Sequence, residues 1–178
     1  MGVFESLAVI GVMGSSRFSH RERSRRVGRW IAQSGYHLLT GGGGGVMAAV
    51  SEAFVRTSPR KGRVIGVLPS SIQHVGAPPL GYPNRWVEIT IRTHLNKRGS
   101  EGERSDSRNH VNVLSSDVII VLPGAEGTAS EAQLALHYGR PCVAYLDNRR
   151  QVPDLPLSVP AESEFEQVKQ FVVGACTK

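Results

Sequence analysis

The apolar residues of this chain come in short unbroken runs rather than in alternation. Leu7-Ala8-Val9-Ile10-Gly11-Val12-Met13, Val64 to Leu68, Val118 to Leu122 and Cys142 to Leu146 each fill the length of a strand without a polar interruption. That is the pattern of strands buried on both faces of a parallel sheet. His37 to Thr40 and Val87 to Ile91 read as two further, shorter strands. Between the runs, apolar residues recur three and four apart, as on one face of a helix: His20 to Ser34 with Val27, Trp30 and Ile31 inward, Val46 to about Arg56, Ala129 to Tyr138, and Glu162 to Val173 with Phe165, Val168, Phe171 and Val172 inward. A shorter helix, about Arg108 to Ser115, has Asp106 or Ser107 to cap it. The alternation predicts an α/β fold, a Rossmann-like open parallel sheet with helices on both faces, forming a single domain over residues 1–178.

Three segments carry no such pattern. Ile72 to Arg85 is rich in proline and glycine and reads as a surface connection. Arg92 to Asp106 is a long, polar, charged loop, of the kind that forms a flap near a ligand or is poorly ordered. Asp147 to Pro160 is a proline-bearing linker, its 151–160 part leading to the C-terminal helix.

Composition changes this picture little. At 178 residues, 40% apolar and 20% charged, the chain has the make-up of a globular domain that needs no disulfide staple. No run approaches the roughly 20 apolar residues that span a bilayer, and Met1 to Ser6 lacks a basic leader region. A cytoplasmic protein without a membrane partner is expected. Cys142 and Cys176 have no partner at metal or redox spacing, so no metal is expected, and Cys142 is placed in a buried strand. The net charge of +6 and pI near 9.8 suit an anionic partner, but six arginines lie between Arg17 and Arg29. A solvated basic helix face explains them more simply than nucleic acid, for which only Phe18 and Trp30 would offer stacking. Nucleic acid is therefore not expected as a partner.

Candidate chemistry gathers where strands open onto helices. Three such junctions are built from small residues: Gly14-Ser15-Ser16, the run Gly41, Gly42, Gly43, Gly44 and Gly45, and Pro123-Gly124 through Gly127-Thr128. In open parallel sheets ligands sit outside the carboxyl ends of the strands, where helix-start N–H groups lack partners and the helix dipole favours anions. The glycines read as a phosphate site, or else as plain tight turns. No Gly-Lys-Ser/Thr triplet of the Walker type occurs, and Thr40-Gly41 stands where NAD sites carry an acid, so NAD is disfavoured. A helix from Arg108 descending roughly 15 Å, followed by a strand climbing about 16 Å, returns Arg108 and Glu131 to one edge. There they could grip a ribose 5′-phosphate. Thr128-Ala129-Ser130-Glu131 is also a capping box, and Arg108 also reads as a surface arginine. His94 and His110 have no recognisable partner and read as solvated positions.

Pro123-Gly124-Ala125-Glu126-Gly127-Thr128-Ala129-Ser130-Glu131 resembles the PGGxGTxxE motif of the LOG-like (lysine decarboxylase-like) superfamily, which holds cytokinin-activating phosphoribohydrolases and molybdenum cofactor carrier proteins. The similarity extends to Ile10 to Gly14, Leu39-Thr40-Gly41-Gly42 with Gly45-Val46-Met47, Ile65 to Pro69, and Ser107 to Ser116. The last block and the opening Gly-Val-Met-Gly look closer to the cofactor-carrier branch. The resemblance implies a homodimer or homotetramer that binds a small phosphorylated ligand, a nucleotide or a phosphorylated pterin such as the molybdenum cofactor, with no further cofactor required. Asn109 would join the ligand-binding set. The alternative is a phosphoribohydrolase that cleaves nucleoside 5′-monophosphates, of the cytokinin riboside monophosphate type, to base and ribose 5-phosphate, with Arg108 and Glu131 as its catalytic pair. This chain departs from the hydrolases at Asn109, where they carry lysine, and at Ala125, where a positive φ would cost alanine roughly 1–2 kcal/mol. Glu126, inside the turn, would repel a phosphate unless it points away. Nothing supports pyridoxal phosphate chemistry.

Overall fold

In the computed structural model, which describes residues 6–177, the expected sheet is present with seven parallel strands. Met1–Glu5, most of the Met1 to Ser6 segment read as lacking a basic leader region, lie outside the described residues. The elements are β1 (Val9–Met13), α1 (Arg21–Gln33), β2 (His37–Thr40), α2 (Val46–Val55), β3 (Val64–Leu68), β4 (Ile89–Arg92), α3 (Asn109–Leu114), β5 (Val118–Val121), α4 (Glu126–His137), β6 (Cys142–Tyr145), β7 (Ala161–Glu162) and α5 (Phe165–Cys176). The strand order is β4-β3-β2-β1-β5-β6-β7. The chain thus winds outward from β1 to β4, then returns to lay β5 beside β1, with Ile10 opposite Val118 and Met13 opposite Val121. Between β1 and β5 the winding reverses, and a crevice opens at the carboxyl ends of the two strands.

Every residue of β5 and β6 is buried, which explains why the apolar runs show no alternation. One face packs Val27, Ile31, Val50, Phe54, Val168 and Val172 from α1, α2 and α5. The other packs Val113, Ala129, Ala132 and Ala135 from α3 and α4, with Val152, Leu155 and Val159 from the connection after β6. Cys142 is buried as expected, and burial pushes its thiol up to about 12.

Two expectations need correction. The 147–160 segment is packed rather than a plain linker: the Arg149 guanidinium donates to the carbonyls of Leu155, Pro156 and Val159. It then adds a two-residue edge strand, β7, where the C-terminal helix was expected to begin; that helix starts only at Phe165. A two-residue strand is too short for any periodicity to reveal. Secondly, α4 begins at Glu126 and not at Ala129, with the Thr128 and Ala129 amides both donating to the Ala125 carbonyl. Gly127 reads as turn punctuation in sequence. In the fold it is the second residue of α4, where a side chain would press on the backbone of Gly99, 3.0 Å away.

Gly28 has a similar role where α1 crosses α2: a Cβ there would collide with the Val50 carbonyl. Gly28→Ala is expected to destabilise the protein by roughly 1–3 kcal/mol through overpacking. Gly174→Ala, in α5 with open space around it, should instead stabilise by about 0.5–1 kcal/mol. Urea unfolding of the two variants checks this; equal effects would refute the close-approach account.

Candidate functional site

The three small-residue turns meet at the crevice and are bonded to one another. The Ser15 amide donates to the Pro123 carbonyl at 3.0 Å, and the first amide of α2, Val46, donates to the Ser15 carbonyl at 2.8 Å. The Gly124 amide donates to the carbonyl of Gln151 at 3.0 Å, tying the third turn to the packed 147–160 segment. Ser15 Oγ folds back to accept from the amides of Arg17 and Phe18. The turns therefore form one rim, around a cleft of about 1010 Å³.

Most of the residues expected at the site line this cleft: Gly14, Ser15, Ser16, Gly41, Gly44, Arg108, Asn109, Pro123, Gly124, Gly127, Thr128 and Glu131. Gly42 and Gly43 do not. Gly42 has φ +74° and packs toward Leu68, and Gly43 lies under the Tyr82 ring; their carbonyls are held by Asn84. They shape the loop from behind.

Arg108 is not a surface arginine. It is 5% exposed, and its Nη1 donates to the Val67 carbonyl at 3.1 Å. A Cβ on Gly41 would collide with its guanidinium, so the glycine is what lets the cation lie flat in the floor. Burial draws the Arg108 pKa down, and the negative charge of Glu131 opposes this. The Arg108 Nε is buried without a hydrogen-bond partner among the described residues.

Glu131 is not a cap either. Since α4 starts three residues after Pro123, Glu131 sits a full turn inside the helix and its Oε1 accepts from Asn112 Nδ2 at 2.8 Å. Burial pushes its pKa up, against the Arg108 charge and the Asn112 bond. Arg108 and Glu131 thus share an edge, as the element lengths predict, but form no ion pair within the salt-bridge distance among the described residues. Asn112 links them, one helical turn beyond Arg108 on α3, and its Oδ1 is a second buried atom without a partner. The i, i+4 spacing from Arg108 was the available signal for Asn112.

Ala125 has φ −116° and ψ −156°, so no positive φ is required and alanine carries no strain there. Glu126 is exposed at the first position of α4. The amides of Glu126 and Gly127 precede the first bonded ones and have no acceptor among the described residues. Three other cleft residues gave no sequence signal, because they come from irregular segments: Tyr82, Arg98 and Gln151. The 92–106 loop does reach the site as a flap, contributing Arg98, Gly99 and Ser100. It is held by His110, which is not a solvated position: its Nδ1 lies 2.7 Å from the Tyr138 hydroxyl and its Nε2 2.9 Å from the Arg104 carbonyl. In the basic cluster, Arg23 pairs with Asp147 and lies 4.2 Å from the Tyr145 ring centroid, and Arg26 pairs with Glu22.

The SLOG cluster4 family matches residues 7–171 of the sequence. The chain belongs to that family. An uncharacterized protein of Archaeoglobus fulgidus is 31% identical over 136 residues, covering 75% of this chain and 77% of the relative. Among solved structures, the molybdenum cofactor binding protein of Rippkaea orientalis superposes with a TM-score of 0.73 at 30% identity, covering 95% of this chain and 97% of that one. The molybdenum cofactor carrier protein of Chlamydomonas reinhardtii gives 0.70 at 26% identity, with 97% and 100% coverage. This SLOG protein thus stands near the carrier branch of the LOG-like superfamily, with the Rossmann-like fold that the alternation of strands and helices predicts.

Two outcomes are expected from the geometry. Gly41→Ala should expel the guanidinium from the floor and cost roughly 1–3 kcal/mol. Gly44→Ala, whose Cβ would meet only the Ser16 carbonyl at 3.2 Å, should cost clearly less; urea midpoints that coincide would refute this. Glu131 has a folded pKa above its ordinary value of 4.5, so the folded state holds the proton more tightly than the unfolded one. Its stabilising contribution is present below pH 4.5 and is lost as pH rises through the folded value. Glu131→Gln should remove that loss, so the variant gains on the wild type with rising pH. A stability difference independent of pH would contradict the assignment.

Proposed function

We propose that this protein binds a small phosphorylated ligand of the molybdenum cofactor or nucleotide class in the cleft, and carries it rather than transforming it. The observation that carries this reading is the Arg108 guanidinium, a cation that lines the cleft floor with one hydrogen bond among the described residues, to the Val67 carbonyl, beside a rim that presents the unbonded Glu126 and Gly127 amides. A phosphate between them would receive charge-assisted bonds from below and helix-start N–H groups from the side. The likeness to a molybdenum cofactor binding protein at 30% identity over nearly the whole of both chains supports this ligand class.

Carriage is favoured over hydrolysis by the likeness to molybdenum cofactor binding and carrier proteins over nearly the whole chain, and by Asn109, which stands where the hydrolases carry lysine. The hydrolase reading retains one point: Arg108 and Glu131 line the same cleft. Calorimetric titration with AMP and ribose 5-phosphate, with mass spectrometry of any copurifying ligand, tests the first reading. Arg108→Ala should weaken binding about ten- to a hundredfold, from the roughly 1.5–3 kcal/mol of hydrogen bonds to a charged group, while circular dichroism shows the fold intact. Steady release of free base from nucleoside monophosphates, abolished in Glu131→Ala, would overturn carriage in favour of hydrolysis.

A further inference from the structure

The 92–106 flap brings a second cation to the cleft. Arg98 is exposed and lines the cleft with Arg108, and among the described residues no carboxylate stands within salt-bridge distance of it. Glu101, on the same flap, is taken by Lys97 at 2.8 Å and by Arg104 at 3.6 Å. The Arg98 side chain rests instead on Tyr82, its guanidinium carbon 5.2 Å from the ring centroid. Tyr82 in turn covers Gly43, and the Arg108 guanidinium fills the space beside Gly41. One glycine run therefore positions both cations, Arg108 directly and Arg98 through the tyrosine.

The backbone that carries Arg98 is pinned on both sides. Before it, the Lys97 carbonyl accepts from Ser107 Oγ at 3.1 Å. After it, Gly99 lies against Gly127, and the Gly99 carbonyl accepts from Ser130 Oγ at 3.4 Å. The flap thus abuts the first turn of α4, where the Glu126 and Gly127 amides have no acceptor among the described residues. Burial, and after it the charge of Arg98, draw the Arg108 pKa down, with Glu131 and Tyr82 opposing them. Two like charges share one cleft, one in its floor and one on its flap.

We infer that Arg98 is a second ligand-binding arginine, which joins Arg108 in clamping the phosphate and selects a terminal phosphomonoester over a singly charged phosphodiester. The inference rests on the proposed phosphate site and assigns its charge preference. A terminal phosphate carries about −1.5 to −2 charges at neutral pH and three acceptor oxygens, enough for two guanidiniums and the α4 amides together. A diester has a single charge and one acceptor oxygen fewer, so it offsets the repulsion between the arginines only in part. Arginine suits the task because its planar fork donates paired bonds to phosphate.

Calorimetry with AMP, its 5′-methyl phosphodiester and ribose 5-phosphate tests this on the wild type, Arg98→Gln, Arg98→Lys and Arg108→Ala. The Arg98 variants should fold, since the side chain is exposed, and circular dichroism checks this. The wild type is expected to bind AMP about tenfold more tightly than the methyl ester. Arg98→Gln should weaken AMP and ribose 5-phosphate by the same factor, about tenfold, and the methyl ester less than about twofold, while Arg98→Lys keeps most of the preference. An Arg98→Gln loss equal for AMP and the methyl ester would mean that Arg98 only orders the flap, and overturns the clamp. AMP affinity unchanged in Arg98→Gln but lost in Arg108→Ala, or a methyl ester bound by the wild type as tightly as AMP, overturns the clamp and leaves the phosphate site standing. Binding of neither AMP nor ribose 5-phosphate to the wild type overturns both.

Discussion

A guanidinium withdrawn from water is the constraint around which this site is built. Burying an ion costs several kcal/mol unless partners replace its hydration, and the protein supplies these only in part: the Val67 carbonyl and the charge of Glu131. Gly41 has no side chain because one would occupy the guanidinium's place. The unbonded Nε of Arg108 and Oδ1 of Asn112 lie within a network otherwise satisfied, where low polarity makes an unmade bond expensive. The first is a donor and the second an acceptor, so an oxygen suits the one and only an N–H or O–H suits the other.

The rim follows from topology. Reversal of winding between β1 and β5 puts two strand ends side by side with their turns diverging, and hydrogen bonds from Ser15 to Pro123 and from Val46 to Ser15 make the turns one unit. Displacing any one turn therefore strains the others. The same coupling extends outward through Gly124 and Gln151 to the packed segment before β7.

The sheet was legible because buried parallel strands leave an unmistakable mark, a run with no polar residue; β2 and β3 fall at the limits the sequence indicates. Arg108 and Glu131 could be brought together from element lengths alone. What stayed hidden depended on contacts between distant segments. Gly127 lies against the backbone of Gly99, His110 is anchored by Tyr138, and Tyr82 covers Gly43, none of which a local pattern records. The capping box failed for the same reason: Thr128-x-x-Glu131 satisfies the local rule, but the helix starts earlier, and both side chains are free for other work.

Glu131 shows how far that work can be inferred. As a cap it would face water at a helix end and remain ionised. Inside α4 it is buried, and its bond from Asn112 holds one oxygen in place whether or not it carries a proton. A carboxyl in this position responds to what enters the cleft. A phosphate on Arg108 would offset the cation that lowers the Glu131 pKa, and like charge would raise that pKa further. An anion there would act with burial, and against the Arg108 charge, to hold a proton on Glu131, so the two side chains answer to the same charge from opposite sides.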